Sequence, residues 1–278
     1  MTARSTFATP GRKLRVAAVQ TVSGVELAAN LRAVEKLVER AAGEGAGLVA
    51  LPEFFALMAV DERAKLAVCE PAGNGPLQSF LAELASRHRL WLVGGTIPLR
   101  GRADGKVRNS TLVFDPRGEC VARYDKIHLF SFSREGEQYD ESTTIEAGDE
   151  VCAFDSPLGR IGLAVCYDLR FPELFRAMGG AELIVLPAAF TYTTGQAHWE
   201  ILLRARAIEN QCFLIAPGQG GEHQNGRRTW GHSMVIDPWG EVLACQVHGE
   251  GLAIAELDFA RLDSIRASLP ALHHRRLR

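Results

Sequence analysis

The chain has 278 residues, 47% of them hydrophobic and 23% charged, with a formal net charge of −2. That balance supports a sizeable core and provides no global field for nucleic acid or an anionic membrane surface. No apolar run approaches the roughly 20 residues of a membrane span, and the opening MTARSTFATPGRK lacks the apolar centre of a signal peptide, so the expected compartment is the cytoplasm.

Six scattered cysteines without a C-x-x-C fit free thiols in a reducing compartment. The eight histidines form no H-E-x-x-H and no zinc spacing, so neither a metal nor another cofactor is expected. The basic run from His273 to Arg278 reads as a solvated terminus.

In chain order, LRVAAVQ at 14–20 reads as a short apolar strand. Between Val25 and Arg40, Leu27, Leu31, Val34 and Val38 recur at spacings of four and three, which predicts an amphipathic helix closed by Gly45 and Gly47. LVALPEF at 48–54 reads as a buried strand, LQSFLAELASRHRL at 77–90 as a helix and WLVGGTI at 91–97 as a strand. Such alternation predicts an α/β layered fold. STLVFDPRGECVA at 110–122 reads as a hairpin whose Pro and Gly suit a tight turn. Residues 127–150 carry few periodic apolar positions and predict a long loop, which in a compact domain tends to be functional. IGLAV at 161–165 reads as a buried strand that stops on Cys166 and turns towards a helix.

The second half echoes the first. SMVIDPWGEVLA at 233–244 matches the hairpin at 110–122, and LIVLPAA at 183–189 matches LVALPEF. D-P-x-G-E alone reads as no more than a good turn, but two copies on matched flanks point to an internal pseudo-repeat. The expected architecture is a single α/β domain over 1–278, a four-layer αββα sandwich of two mixed β-sheets, with its core over about 13–260 and a tail at 261–278.

Three strand-end side chains are candidates for chemistry. Cys166 stands where ligands meet parallel sheets, at the carboxyl end of a strand, although a buried structural thiol fits the same position. Glu53, after the apolar LVALP, suits a general base, or equally a solvated or capping carboxylate. Lys126 in YDKIHLF follows a hairpin strand, a place for a surface lysine or for a cation that activates a thiol.

Together, LPEFF at 51–55, YDKIHLF at 124–130 and VCYDLRFPELFR at 165–176 give the order Glu, Lys, Cys. In this the chain resembles the nitrilase superfamily, the carbon–nitrogen hydrolases, over nearly its whole length. The resemblance implies the αββα fold and a catalytic triad of Glu53, Lys126 and Cys166. It also implies a second glutamate in the loop between Lys and Cys, matched by Glu141, with Glu135 and Glu137 as rivals. PAAFTYTTGQAHWEILLRARAIENQCF at 187–213 and TWGHSMVIDPWGEVLA at 229–244 resemble the branch containing omega-amidase and deaminated-glutathione amidase.

By that resemblance Arg170 and Thr194 would hold a substrate carboxylate, the Tyr167 N–H would donate to an oxyanion, and His198 and Trp199 would line the pocket. Arg170 reads equally as a salt-bridge partner of Asp168 or Glu173, and Trp199 as a core aromatic. The implied partner is a small-molecule amide, with no nucleic acid and no membrane. The resemblance also implies a homodimer or larger homo-oligomer, for which the segment from Phe171 to Met178 offers a face. A nitrilase or N-carbamoyl-amine hydrolase would use the same triad, a non-catalytic ligand-binding protein would have the same scaffold, and a Cys–His hydrolase lacks a placed histidine.

Overall fold

Alternation along the first strand, Lys13–Gln20, sets the layering. Val16 and Ala18 join Ile161, Leu163 and Val185 of a second sheet in one core cluster. Ala17 and Val19 face the other way, onto Val34, Val38 and Leu81 of two helices, Leu27–Gly43 and Pro76–His88. A side-chain period of two lets one strand serve both interfaces. The computed structural model, which describes residues 11–61, 63–134 and 137–277, repeats this arrangement on the far side. There the helix Tyr192–Asn210 lays Trp199, Leu203 and Ala207 against the second sheet. The outcome is the expected four-layer αββα sandwich.

The first sheet has seven strands, ordered Gly251–Asp258, Lys13–Gln20, Leu48–Ala50, Trp91–Val93, Val107–Phe114 and Ile97–Arg100, with Cys120–Asp125 also paired to Val107–Phe114. The second has six, ordered Val242–Gln246, Ser233–Ile236, Phe213–Ala216, Leu183–Val185, Gly159–Leu163 and Cys152–Ser156. Each is built around three parallel strands. Each carries an antiparallel strand on one side and a hairpin on the other. The two hairpins are the two D-P-x-G-E segments. Asp115 accepts the N–H groups of Arg117 and Glu119, and Asp237 those of Trp239 and Glu241. The register slips at Val113/Phe114 in one and at Val235/Ile236 in the other. The sequence echo is thus a repeat of half-sheets.

Four expectations change. WLVGGTI is two strands, because Gly95 takes a φ of +54° and its missing Cβ makes room for the Pro52 carbonyl, 2.2 Å from where that atom would stand. The segment 127–150 is not all loop: Ser131–Arg134 pairs with Glu137–Asp140, and a 3₁₀ turn, Glu141–Thr143, follows. The segment from Phe171 to Met178 turns Leu174, Phe175 and Met178 into the chain's own core, so these side chains offer no outward face. The expected tail opens with a helix, Phe259–Ser268, that buries Phe259, Leu262 and Ile265. No helix among the described residues is long and apolar enough to cross a membrane.

Phe213 packs edge-on against Phe259, with ring centroids 5.4 Å apart, and is fully buried. Phe213→Ala is expected to cost about 3–5 kcal/mol in denaturant unfolding. A loss under about 1 kcal/mol would mean that the C-terminal helix does not lean on this strand.

Candidate active site

Glu53, Lys126 and Cys166 each follow a strand end, those of Leu48–Ala50, Cys120–Asp125 and Gly159–Leu163. The layering brings the three ends together. Lys126 is fully buried and Glu53 is 1% exposed. Lys126 Nζ donates to Glu53 Oε1 at 2.9 Å and to Glu141 Oε1 and Oε2 at 2.9 and 2.8 Å. The ammonium therefore spends all three donors on two carboxylates. Asn109 Nδ2 donates to Glu53 Oε1 at 2.8 Å, and the Ala189 N–H to Oε2 at 2.9 Å. Phe130 N–H fixes Glu141 Oε2 at 2.8 Å. Of the three candidates Glu135, Glu137 and Glu141, it is thus Glu141 that is seen to meet Lys126. Glu137 opens the strand Glu137–Asp140, and Glu135 lies outside the described residues.

Cys166 begins a 3₁₀ turn, Cys166–Arg170, with a φ of +48°. An L-residue with a side chain rarely adopts that region, and such strain concentrates where a side chain must be presented at a set angle. The Cys166 N–H donates to the Pro187 carbonyl at 2.9 Å. Only a short helix, Pro172–Ala177, follows, so the turn itself, rather than a long helix dipole, shapes this corner.

Electrostatics set the resting protonation. Burial pushes the Lys126 ammonium down, but Glu141 and Glu53 more than offset this and hold it well above the ordinary lysine range. Burial, then Glu53, pushes the Cys166 thiol well above its usual range, against the pull of Lys126. The sequence had suggested that Lys126 would lower this thiol. It does pull that way, but desolvation outweighs it, and the resting group is a neutral thiol.

Sequence reasoning missed the group that ties these strand ends together. Asp168 is fully buried. Its Oδ2 accepts from Tyr124 OH at 2.7 Å and from Val165 N–H at 2.8 Å. Its Oδ1 accepts from His128 N–H at 3.0 Å and lies 2.7 Å from His128 Nδ1. Tyr124 and His128 flank Lys126 at two residues on either side, and Asp168 lies two residues past Cys166. One carboxylate therefore sets the lysine strand against the cysteine turn. Burial and Asp168 hold the Tyr124 phenol protonated, so it remains a donor. The sequence signal was present in the spacing Y-x-K-x-H and C-x-D, but nothing local says that these two triplets meet.

At the rim, Tyr167 meets Phe130 and Phe171 edge-on. Arg170 Nη1 lies 3.2 Å from His198 Nδ1, and its guanidinium stands over Phe190 at 5.3 Å. The Asp168 oxygens are already occupied, so the salt bridge expected for Arg170 there does not form. Thr194 shares a 2.8 Å hydrogen bond with Thr191, one helical turn before His198. Trp199 is a core residue, its Nε1 donating to the His232 carbonyl at 2.8 Å. A separate polar groove contains Arg102, Arg108 and Arg123, but these are already paired with Asp149, Glu146 and Asp125. Among the described residues, no group of three or more His, Cys, Asp or Glu could hold a metal ion.

Residues 15–267 match the carbon–nitrogen hydrolase family, to which the chain belongs. It is 43% identical over 267 residues to the deaminated glutathione amidase of Synechocystis, covering 93% of this chain and 97% of that one. Nit3 of Saccharomyces cerevisiae, a solved member of branch 10 of the nitrilase superfamily, superposes with a TM-score of 0.84 at 34% identity, over 93% of this chain and 94% of that one. The solved NitFhit protein of Caenorhabditis elegans also gives 0.84 at 37% identity, with 96% of this chain matched but only 65% of that longer one. The chain is thus a hydrolase of carbon–nitrogen bonds in the nitrilase superfamily.

A thiol held above its normal range predicts the course of alkylation. Inactivation by iodoacetamide is expected to accelerate through pH 9 without levelling off, because the thiolate is the nucleophile. A plateau below pH 8 would contradict the neutral resting thiol. Asp168→Asn puts an amide donor among four donors and is expected to cost about 1–3 kcal/mol in thermal or denaturant unfolding. Unchanged stability would show that the carboxylate is not the tie described.

Proposed function

We propose that the chain is an amidase of the omega-amidase or deaminated-glutathione amidase type, cleaving the amide of a small carboxylate-bearing substrate through a thioester on Cys166. The observation that carries this reading is the buried Lys126 ammonium, clamped between Glu53 and Glu141 beside a strained cysteine. The names of the relatives supply the substrate type.

Glu53 removes the thiol proton as sulfur attacks the amide carbon. A neutral resting thiol makes this base necessary, and the transfer leaves the total charge of the cluster unchanged. The oxyanion forms against the Tyr167 N–H and Lys126. One of the two Lys126 bonds to Glu141 is redundant for holding the ammonium and can be redirected to that oxygen, while Glu141 keeps Lys126 aimed. Each such donor contributes roughly 3–4 kcal/mol to the transition state. The carbon–nitrogen bond then breaks, and the leaving nitrogen takes the proton from Glu53. Glu53 next deprotonates a water that attacks the thioester carbonyl; the carbon–sulfur bond breaks, the acid leaves, and the proton passes from Glu53 back to the Cys166 sulfur. No cofactor enters any of these steps. Arg170 with Thr194 and His198 holds the carboxylate of the acyl part, the guanidinium being suited to bidentate pairing.

The test follows ammonia released from α-ketoglutaramate and 2-oxoglutarate released from deaminated glutathione. Cys166→Ala is expected to abolish both activities, and Glu53→Gln to lower kcat by roughly 10²–10⁴. Intact mass of a quenched reaction is expected to show the acyl group on Cys166. Turnover surviving in Cys166→Ala would remove the thioester route. Faster turnover of nitriles or N-carbamoyl amino acids would keep the chemistry and overturn the substrate class.

A further inference from the structure

A second guanidinium stands by the same site. Arg227 lies in the turn between the short strands Gly220–Glu222 and Arg228–Trp230. The turn is held in place: the Arg227 N–H donates to Asn225 Oδ1 at 2.9 Å, the Arg227 carbonyl accepts from His223 N–H at 2.9 Å, and Asn225 Nδ2 donates to the Ala59 carbonyl at 2.8 Å. The Arg227 guanidinium lies 5.0 Å from the ring centroid of Tyr139, two residues before Glu141. Its Nη2 reaches the Ala189 carbonyl at 3.3 Å, the residue whose N–H holds Glu53. Its Nε is buried with no hydrogen-bond partner. It lines a hollow with Phe54, the neighbour of Glu53, and with Lys65. Asp61 of that hollow accepts the Arg63 N–H instead.

Consecutive residues thus address the two cations, Ala189 through its carbonyl to Arg227 and Phe190 through its ring to Arg170. Among the described residues, neither guanidinium is paired with a carboxylate. A buried donor left unpaired is costly, and a planar guanidinium resting on an aromatic ring offers its edge to a carboxylate. If Arg170 receives the acyl end of the substrate, Arg227 stands free for a charge on the other side of the scissile bond.

We propose that Arg227 binds a carboxylate carried by the leaving amine, so that the preferred substrate is anionic at both ends and its leaving group is a short peptide or amino acid rather than ammonia. This rests on the amidase reading above. Of the two substrate types named there, it selects deaminated glutathione, whose glycine carboxylate lies on the leaving side of the cleaved amide. In the cleavage, the leaving nitrogen takes the proton held by Glu53, and Arg227 touches only the distant carboxylate. Arg227 is a specificity residue, not a catalytic one.

The experiment compares deaminated glutathione with its C-terminal amide, in which the glycine carboxylate is replaced by a neutral carboxamide. The unmutated enzyme is expected to favour the acid by roughly ten- to a hundredfold in kcat/KM, mostly through KM, the worth of one charge-assisted pair. Arg227→Gln is expected to erase that preference, and Arg227→Lys to keep part of it. Equal kcat/KM for acid and amide in the unmutated enzyme overturns the inference without any variant. So does a preference that survives in Arg227→Gln, or an enzyme that cleaves α-ketoglutaramate but not deaminated glutathione. Failure of the unmutated enzyme to cleave any of these amides would sink the amidase reading itself.

Discussion

The buried ammonium of Lys126 is the constraint on which the rest of the site depends. A lone charge in that position would cost far more than the fold could offset, and it persists only because both its neighbours are carboxylates. Two carboxylates around one ammonium leave the cluster with an excess of negative charge. That excess, added to desolvation, is why the thiol beside it stays protonated. In the proposed mechanism a proton moving from Cys166 to Glu53 makes a thiolate and neutralises a carboxylate in one step, so the low-dielectric pocket never has to hold an additional charge. A free-standing thiolate would break that balance. The arrangement therefore favours proton transfer during attack over a pre-formed ion pair.

Holding such a cluster requires supports from both halves of the chain. Asn109 and Lys126 come from the hairpin side of the first sheet, while Ala189 and Cys166 come from the second. Asp168 connects the two with four bonds. The half-sheet repeat is what permits this. Related strand ends face one another across the sandwich, yet only one copy of each position carries a group that the proposed mechanism uses. In register, Glu53 corresponds to Ala188, and Cys166 to Thr21. The repeat supplies the geometry, and divergence between its copies supplies the chemistry.

Much of this was legible in the sequence because it is local. The period of two in LRVAAVQ, the period near 3.6 after Val25 and the paired D-P-x-G-E turns are local patterns, and they gave the layers. LPEFF, YDKIHLF and CYDLR named the strand-end groups. What stayed hidden was tertiary. Asn109 sits within VRNSTLVF, where a buried amide looks like an interruption until Glu53 is placed against it. The pair Ser131–Arg134 and Glu137–Asp140 has too few apolar residues to show a strand period, since it buries little. Gly95 splits a strand because the Pro52 carbonyl, just past the end of the strand Leu48–Ala50, needs the room, which no reading of WLVGGTI alone could supply. Arg227 is an ordinary turn arginine in sequence, and only its position over Tyr139 sets it apart.

The charge cluster itself is indifferent to substrate. In the proposed mechanism, a carbon bonded to nitrogen and polarised towards Lys126 would react at Cys166 whether it came from an amide, a nitrile or a carbamoyl group. Selectivity must therefore lie with groups that take no part in the proton transfers, and these cluster around residues 187–190. That segment accepts the Cys166 N–H at Pro187, supports Glu53 through Ala189, and presents Phe190 beneath Arg170. One stretch of backbone thus touches the cysteine, Glu53 and both guanidinium groups, which ties the position of each cation to that of the sulfur. A substrate that spans that spacing is brought to the thiol in register. One that cannot must give up the binding energy that would otherwise hold its carbonyl against Lys126.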